Sequence, residues 1–491
     1  MSRASRPAEP LVCSRLGRPA LVLALALLAV GCATPLGGAW LPVTGAGVPE
    51  RVVLVSVSGM GAGAYREASP LMPTVAALAA AGVGADAVEP VAPSATYPTH
   101  ATLVTGLVPA DHGIVADRLL GRRGVRSMPY RHASLLRSRT LWQAVTERGG
   151  GVASLAWPTT VGAAIPLLLP DLVPTRRGER WLEMLRDATT PRVLALAEAA
   201  GAGQPDADAS GPLRDRVLVD VACDLLASED APRLLLLRLT QTTPALAFRG
   251  PDAPETVRAF ARADAEIARL VDCLRRADRL ERAAIVVVGD RGVSPVHTSL
   301  APNAVLAREG LVEADALGVH RWRAIARSNG GSSFVYARDD AAALRARTAL
   351  AAAAERSGSF RIVAASEMLE RGADPTAWFG LEADAGFRFS DDAQGALVRA
   401  AAWRGAGGYL SDGGAVDAGF VAWGRGIQTG LRVPRMRQTD VAPTVARLLG
   451  IGSIDRDDRG NRSGRVLVGL LRIKDVPRVA LPGEDAKGGR K

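Results

Sequence analysis

Apolar runs alternate with amphipathic segments along most of the chain. The run Arg51–Val57 is almost continuously apolar, which is typical of a strand that is buried on both faces. Similar runs occur at Gly151–Ala156, Arg233–Leu239, Ala284–Val288 and Gly419–Trp423, and helical patterns separate them at Leu71–Ala81, Thr140–Arg148, Arg214–Ala227, Pro254–Ala277 and Thr439–Leu449. This alternation predicts an α/β fold with a mostly parallel central sheet and helices on both faces.

Residues 300–405 depart from the alternation. They contain the Ala-rich helical pattern Ala341–Glu355 and a turn at Ser328–Gly331, and they predict a cap subdomain inserted into one large domain, residues 50–476. Residues 33–49 are rich in Gly, Pro and Ala and predict a tether. The polar, Gly-rich residues 477–491 predict a disordered tail.

Three polar residues follow the apolar runs closely. Ser58, Thr243 and Asp290 each lie just beyond a predicted strand. In parallel sheets, functional sites collect at the carboxyl ends of the strands. We therefore expect these three side chains to converge.

Composition and charge narrow the classes of partner. The 491 residues are 48% hydrophobic and 22% charged, with a formal net charge of +10. The arginines that carry this charge are scattered, and no aromatic-interleaved basic patch accompanies them. A solvated surface is the favoured explanation, and no nucleic-acid partner is predicted.

The first 32 residues have the layout of a bacterial lipoprotein signal peptide. Four arginines precede the apolar stretch Pro19–Val30, which is too short to span a bilayer. The stretch ends in Ala29-Val30-Gly31-Cys32, which resembles a lipobox, although the pattern prefers Leu to Ala29. This predicts a membrane anchor through lipidated Cys32, and Ala33 in place of Asp favours the outer membrane, facing the periplasm. An ordinary secretory signal cut near Ala33 is the alternative.

Two cysteines remain after the signal peptide. Cys223 and Cys273 lie in consecutive predicted helices, and in an oxidising compartment they either pair or stay as two buried free thiols. Their spacing does not suggest a metal site.

The most specific motif is Ala-Thr-Tyr-Pro-Thr-His-Ala-Thr-Leu-Val-Thr-Gly-Leu-Val-Pro-Ala-Asp-His-Gly-Ile at residues 95–114. Further motifs follow in order at Trp157–Gly162, Leu239–Thr242, Gly250-Pro251, Val287–Gly292, Gly405–Tyr409 and Thr439–Thr444. Together they resemble the type I phosphodiesterase/nucleotide pyrophosphatase branch of the alkaline phosphatase superfamily, over nearly the whole mature chain. The resemblance implies an alkaline-phosphatase-like fold and places the attacking hydroxyl of the family at Thr96.

The resemblance also implies two zinc ions that flank the phosphoryl group. The positions that match the family's zinc ligands are Ser58, Thr243, Ala247, Asp290, Arg291 and Gly407. Only Asp290 keeps a ligand side chain, whereas zinc needs three or four ligands. One carboxylate cannot compete with water for a dication, and Arg291 adds a repelling charge. We therefore expect no bound zinc and a relict Thr96 hydroxyl that is a poor nucleophile.

Other residues offer little to rebuild a metal site. His100 and His112 match family positions that are not ligands, and Asp412 and Asp417 are better explained as solvated carboxylates. The surviving residues also have structural explanations. Thr96 would cap a helix that opens at Pro98, and Asp290 would pair with Arg291.

Three hypotheses about function follow. The first is an envelope-anchored family protein that has lost two-zinc phosphoester hydrolysis, a pseudoenzyme that binds an anion through Thr96 and Arg291, or an unidentified partner. The second is an active phosphodiesterase or phosphatase with Thr96 as nucleophile and a divergent metal site. The third is a purely structural envelope lipoprotein without a ligand.

Overall fold

The computed structural model describes residues 45–66, 70–121, 128–174, 178–205, 211–316, 318–410, 414, 416–452, 454 and 464–473. The predicted signal peptide with Cys32, most of the predicted tether and the predicted tail 477–491 lie outside these residues. No helix among the described residues is long and apolar enough to cross a membrane.

The regular elements of the described residues follow one another in chain order. The strands are β1 Arg51–Val57, β2 Val83–Ala85, β3 Val88–Glu89, β4 Val152–Leu155, β5 Leu167–Leu169, β6 Leu234–Leu239, β7 Ala283–Gly289, β8 Ser294–Leu300, β9 Val312–Asp315, β10 Gly318–Trp322, β11 Ala324–Ser328, β12 Ser332–Ala337, β13 Phe360–Val363, β14 Phe379–Ala383, β15 Gly386–Phe389, β16 Val398–Ala400, β17 Gly405–Ala406, β18 Phe420–Gly424, β19 Leu431–Val433 and β20 Met436–Arg437. The helices are α1 Gly63–Arg66, α2 Pro73–Ala81, α3 Thr96–Thr105, α4 Pro109–His112, α5 Leu141–Thr146, α6 Trp181–Arg186, α7 Pro191–Ala199, α8 Pro212–Ala227, α9 Thr242–Arg249, α10 Pro254–Arg276, α11 Pro302–Arg308, α12 Asp340–Ser357, α13 Ala365–Glu370 and α14 Val441–Leu448.

The central sheet has eight strands among the described residues, in the order β19-β2-β18-β7-β1-β6-β4-β5. Strands β7, β1, β6, β4 and β5 are parallel, as the alternation of strands and helices predicts. The apolar run near residue 420 also forms a strand, but β18 pairs antiparallel with β7. The predicted mostly parallel α/β class is confirmed.

Alternation along β1 explains why the sheet is covered on both faces. Val53, Val55 and Val57 pack into one core cluster with residues of α8 and α10. Val52 and Leu54 point the other way, into a cluster with residues of α3, α5 and α14. Successive side chains of a strand point to opposite faces, so a strand between two helical layers must be apolar throughout.

Residues 294–406, which include the segment predicted as a cap, form three further sheets among the described residues, the smallest of which pairs β9 with β10. An antiparallel sheet runs β11-β12-β14-β13, and a second sheet joins β15, β8 and β16, with β17 also on β8. Helix α12 packs on these strands through Ala342, Ala346 and Leu350. A hydrogen bond connects the turn after β11 to the residue that follows β17. The Gly331 N–H donates to the Gly407 carbonyl at 2.8 Å.

A disulfide joins Cys223 of α8 to Cys273 of α10, with Cα atoms 5.4 Å apart. The structure thereby decides between the paired and the free cysteines that the sequence left open. The bond links two helices that already pack against each other in the core below the sheet.

Candidate functional site

The register of three parallel strands brings the predicted site residues together. Val57 of β1 lies opposite Leu239 of β6 and Gly289 of β7. Ser58 and Asp290 are the next residues of their strands, and Thr243 lies in the first turn of α9, which follows β6. The predicted convergence at the carboxyl edge of the sheet is therefore observed.

A cavity of about 650 Å³ opens at this edge. It is lined by Ser58, Thr243, Ala247, Arg291 and Gly407, five of the six positions that match zinc ligands. The wall opposite the central sheet consists of cap residues, among them Asn329, Arg388 and Trp403. The site is thus a cleft between the main sheet and the segment 300–405, which the sequence predicts as a cap.

Asp290 is fully buried and already has its partners. Its Oδ1 accepts a hydrogen bond from the Gly59 N–H at 2.7 Å, and its Oδ2 accepts one from Arg291 Nη1 at 3.0 Å. Burial opposes ionisation of Asp290, but the Arg291 guanidinium outweighs it with help from other positive partners, and the net pKa of Asp290 is lowered. The carboxylate is therefore ionised and paired at neutral pH.

Arg291 also contacts the predicted nucleophile. The same Nη1 lies 3.2 Å from Thr96 Oγ1, to which it donates. Among the described residues, no carboxylate or imidazole accepts a hydrogen bond from the Thr96 hydroxyl. The capping role considered for Thr96 is wrong, because α3 begins at Thr96 itself and its N-cap is Ala95, without a side-chain bond.

Gly407 leaves the space that Arg291 occupies. A Cβ atom at position 407 would lie 2.4 Å from Arg291 Cδ and 2.7 Å from Nε. Real Cβ atoms do not make contacts this short, so a side chain at position 407 and the observed Arg291 conformation exclude each other. A ligand side chain at this position, which the resemblance implies, and the arginine at position 291 are therefore alternatives in one volume.

Asp117 is a site residue that the sequence reasoning missed. It lines the cleft, and its Oδ1 accepts a hydrogen bond from the Tyr97 N–H at 2.9 Å, in the first turn of α3. Burial raises the pKa of Asp117, and Arg291 opposes the rise. A carboxylate thus occupies the end of the helix that favours anions. The available signal was a charged residue directly after the apolar Ile114-Val115-Ala116.

The two histidines of the motif, His100 and His112, are buried and make hydrogen bonds within the core. His100 bonds the Thr96 carbonyl through Nδ1 at 2.7 Å and the Ser56 hydroxyl through Nε2 at 2.9 Å. His112 accepts the Ile114 N–H at Nδ1 at 3.1 Å, and its Nε2 lies 3.1 Å from Thr102 Oγ1. Burial lowers the pKa of each to about 3, so both rings are neutral.

The donor set does not fit a zinc pair. Among the described residues, no group of three or more His, Cys, Asp or Glu side chains is placed to hold a metal ion. Asp417 bonds Arg435 at 3.1 Å instead of turning toward Asp290, and Asp412 lies outside the described residues. At the matched positions, the ligand atoms have been replaced by hydroxyls, an alanine, a glycine and a guanidinium. Zinc requires several anionic or imidazole donors at one point.

Comparisons with known proteins agree with this architecture. The human ectonucleotide pyrophosphatase/phosphodiesterase 5 structure superposes with a TM-score of 0.62 at 18% identity, covering 86% of this chain and 99% of that one. A structure of the inactive murine protein in complex with AMP gives the same values. These likenesses establish the alkaline-phosphatase-like fold.

The sequence relatives match over only part of their length. Human ectonucleotide pyrophosphatase/phosphodiesterase family member 1 is 20% identical over 246 residues, which cover 49% of this chain and 23% of that protein. An uncharacterized pyrophosphatase/phosphodiesterase from Schizosaccharomyces pombe is 26% identical over 253 residues, or 50% of this chain and 45% of the relative. The matched region spans less than half the length of either relative. The family description "type I phosphodiesterase / nucleotide pyrophosphatase" matches residues 52–403, well over half of the chain, and the protein belongs to that family.

Proposed function

We propose that this protein is a type I phosphodiesterase-family pseudoenzyme that has lost two-zinc phosphoester hydrolysis and uses the retained cleft to bind a ligand. One observation carries the proposal. The Arg291 guanidinium lies between Asp290 Oδ2 at 3.0 Å and Thr96 Oγ1 at 3.2 Å, so it contacts both the Asp290 carboxylate and the hydroxyl at the predicted nucleophile position.

Charge explains why hydrolysis fails in this arrangement. A metal lowers the pKa of the oxygen that it binds, whereas a guanidinium only donates hydrogen bonds and cannot accept a proton at neutral pH. Thr96 Oγ1 accepts from Arg291 and has no described base beside it. The hydroxyl therefore keeps its proton and does not attack a phosphoester.

Thr96 and Arg291 remain the candidates for holding an anion at this end of the cleft. The N–H group of Tyr97 already binds the Asp117 carboxylate, and Arg291 already neutralises Asp290. An anion here must therefore compete with two carboxylates of the chain itself, which limits its affinity. The ligand could equally be a protein partner that enters the cleft.

Metal content and turnover test the loss of hydrolysis. After exposure of the purified protein to zinc and gel filtration, we expect no stoichiometric zinc, and we expect the hydrolysis of bis(4-nitrophenyl) phosphate to be unchanged by Thr96→Ala. About two zinc ions per chain, together with turnover that Thr96→Ala abolishes, would mean that this is an active phosphodiesterase with a divergent metal site. Thermal unfolding of the variant serves as the folding control.

We also propose that the protein is a lipoprotein of the bacterial envelope, facing the periplasm from the outer membrane. The Cys223–Cys273 disulfide supports an oxidising compartment. Cys32→Ser removes the acylation site, so the protein is expected to move from the membrane fraction to the soluble fraction in the native host. Retention in the membrane fraction after Cys32→Ser would contradict lipid anchoring at this residue.

A further inference from the structure

The cap wall of the cleft carries an arginine fixed against a tryptophan. Arg388 lies on β15, and its guanidinium carbon is 4.9 Å from the ring centroid of Trp403. Both residues line the cavity of about 650 Å³ that also contains Arg291. Stacking on an aromatic face holds a guanidinium in place without neutralising it.

The charge of Arg388 has no counterion among the described residues. No described side chain forms an ion pair with it, and its Nε is buried without a hydrogen-bond partner. Burial lowers the pKa of Arg388, and Asp391 and Asp392 only partly oppose this effect. Charges removed from water are normally paired, so an unpaired cation in a cleft wall indicates an anionic ligand.

The neighbouring carboxylates are engaged elsewhere. Asp391 Oδ1 accepts the Ser328 N–H at 2.8 Å. Asp392 Oδ2 accepts from Arg399 Nη2 at 2.8 Å. Both carboxylates line the same cavity as Arg388, but neither forms an ion pair with it among the described residues, so the Arg388 guanidinium has no direct carboxylate partner.

Two further polar atoms of cavity-lining residues lack partners. Asn329 Nδ2 and Thr243 Oγ1 are buried and make no hydrogen bond with the described residues. Buried polar atoms are nearly always bonded in native proteins. These two atoms and Arg388 Nε are hydrogen-bond donors without an acceptor, and an anion in the cleft would supply one.

At the opposite end of the cleft, the charged side chains already have partners within the protein. Asp290 pairs with Arg291 there, and Asp117 accepts the Tyr97 N–H. The electrostatic attraction for an anion is therefore greater at Arg388 than beside Thr96.

Trp403 also contacts a second aromatic side chain, that of Phe248. Trp403 is 41% exposed and Phe248 is 55% exposed, and their ring centroids are 5.3 Å apart. Trp403 lines the cavity, and an exposed aromatic side chain in a cleft favours a ligand that is itself apolar or aromatic at that point.

We propose that Arg388 and Trp403 form a binding subsite for a small organic anion, a carboxylate or a phosphate ester, that carries an aromatic ring. The anionic group lies on the guanidinium of Arg388, and the ring packs against Trp403 and Phe248. This subsite consists of Arg388, Trp403 and Phe248, and it does not depend on the loss of hydrolysis at Thr96.

Calorimetric titration of the purified protein with benzoate and with phenylphosphonate tests the subsite and distinguishes the two anion classes. Methylphosphonate measures the contribution of the ring. We expect Arg388→Gln to weaken binding of the aromatic anion by about tenfold or more, because a hydrogen bond to a charged group is lost. Arg388→Lys keeps the charge but loses the planar stacking on Trp403, so it should retain only part of the affinity. Arg321→Gln, at an exposed arginine away from the cleft (77% exposed), is the matched control and should leave binding unchanged.

Asp117→Asn separates the two ends of the cleft. If the anion lies on Arg388, this variant alters its affinity by less than about threefold, whereas an anion beside Thr96 loses a repelling carboxylate and gains about tenfold. A tenfold gain in Asp117→Asn without a loss in Arg388→Gln would overturn the assignment. Equal affinity for methylphosphonate and phenylphosphonate would overturn the aromatic part, and the absence of binding by the wild-type protein at millimolar probe would overturn the whole proposal. Thermal unfolding of each variant shows that it is folded.

Discussion

Arg291→Gln is expected to lower the free energy of unfolding by about 3 kcal/mol at pH 7. The substitution leaves Asp290, whose side chain is 0% exposed, as a buried carboxylate without its cation. Removal of one partner from a buried ion pair costs about 3–5 kcal/mol, and we expect the lower end because the Gly59 N–H still bonds Asp290 and Arg291 is itself 20% exposed. Chemical denaturation measures the change.

The effect should depend on pH with a defined sign. The folded protein lowers the pKa of Asp290, so its ionised form stabilises the wild type above the unfolded pKa, near 4, and that contribution is lost as pH falls through the folded pKa. In Arg291→Gln, burial raises the pKa of Asp290 and the carboxylate becomes destabilising at pH 7. The difference between the two proteins should therefore be largest at neutral pH and above, shrink as pH falls through the raised pKa of Asp290 in the variant, and vanish only below the lowered pKa of Asp290 in the wild type.

Two further variants serve as comparisons for Arg291→Gln. Arg432→Gln breaks the exposed pair with Asp86, in which the arginine is 68% exposed, and should cost at most about 1 kcal/mol. Gly407→Ala places a Cβ 2.4 Å from Arg291 Cδ and should reproduce part of the loss by displacing the guanidinium. A pH-independent effect of Arg291→Gln, or one no larger than that of Arg432→Gln, would mean that the guanidinium does not neutralise Asp290.

Loss of the Cys223–Cys273 disulfide is expected to lower the free energy of unfolding by about 4 kcal/mol. The bond closes a loop with a sequence separation of 50 residues, and the chain-entropy estimate for such a loop gives about that value. Because α8 and α10 also pack through apolar side chains, the double variant Cys223→Ala/Cys273→Ala should keep its native fold. The loss arises mainly from the greater freedom of the unfolded chain.

Reduction provides the internal control. Treatment of the wild type with a phosphine reductant should lower the denaturation midpoint to that of the double variant, and the double variant should not respond. A wild-type midpoint that does not respond to reductant under denaturing conditions would show that the two cysteines are not bonded.

Sequence reasoning located the site because its residues follow strands. Ser58 and Asp290 directly follow apolar runs, and parallel register brings such ends to one edge. The adjacency of Asp290 and Arg291 also indicated that the cation could replace a metal. Reasoning along the chain missed Asp117, because a charged residue after the apolar Ile114-Val115-Ala116 does not show that the chain, 20 positions beyond Tyr97, returns to the first turn of α3. It also misassigned the start of α3 by two residues, and with it the role of Thr96.

By itself, the sequence determined the layered α/β architecture, since a strand such as Arg51–Val57 can bury two apolar faces only between helices. It also determined which chemical groups are missing, because a residue type at a motif position is visible without coordinates. Only the tertiary structure decided what replaced them. The contact of Arg291 with Thr96 and the exclusion of a side chain at Gly407 by Arg291 join residues far apart in the chain, and the burial of Arg388 against Trp403 without an ion pair depends on the packing around it. Such contacts depend on distances and burial that only packing fixes, because charge and volume act through space.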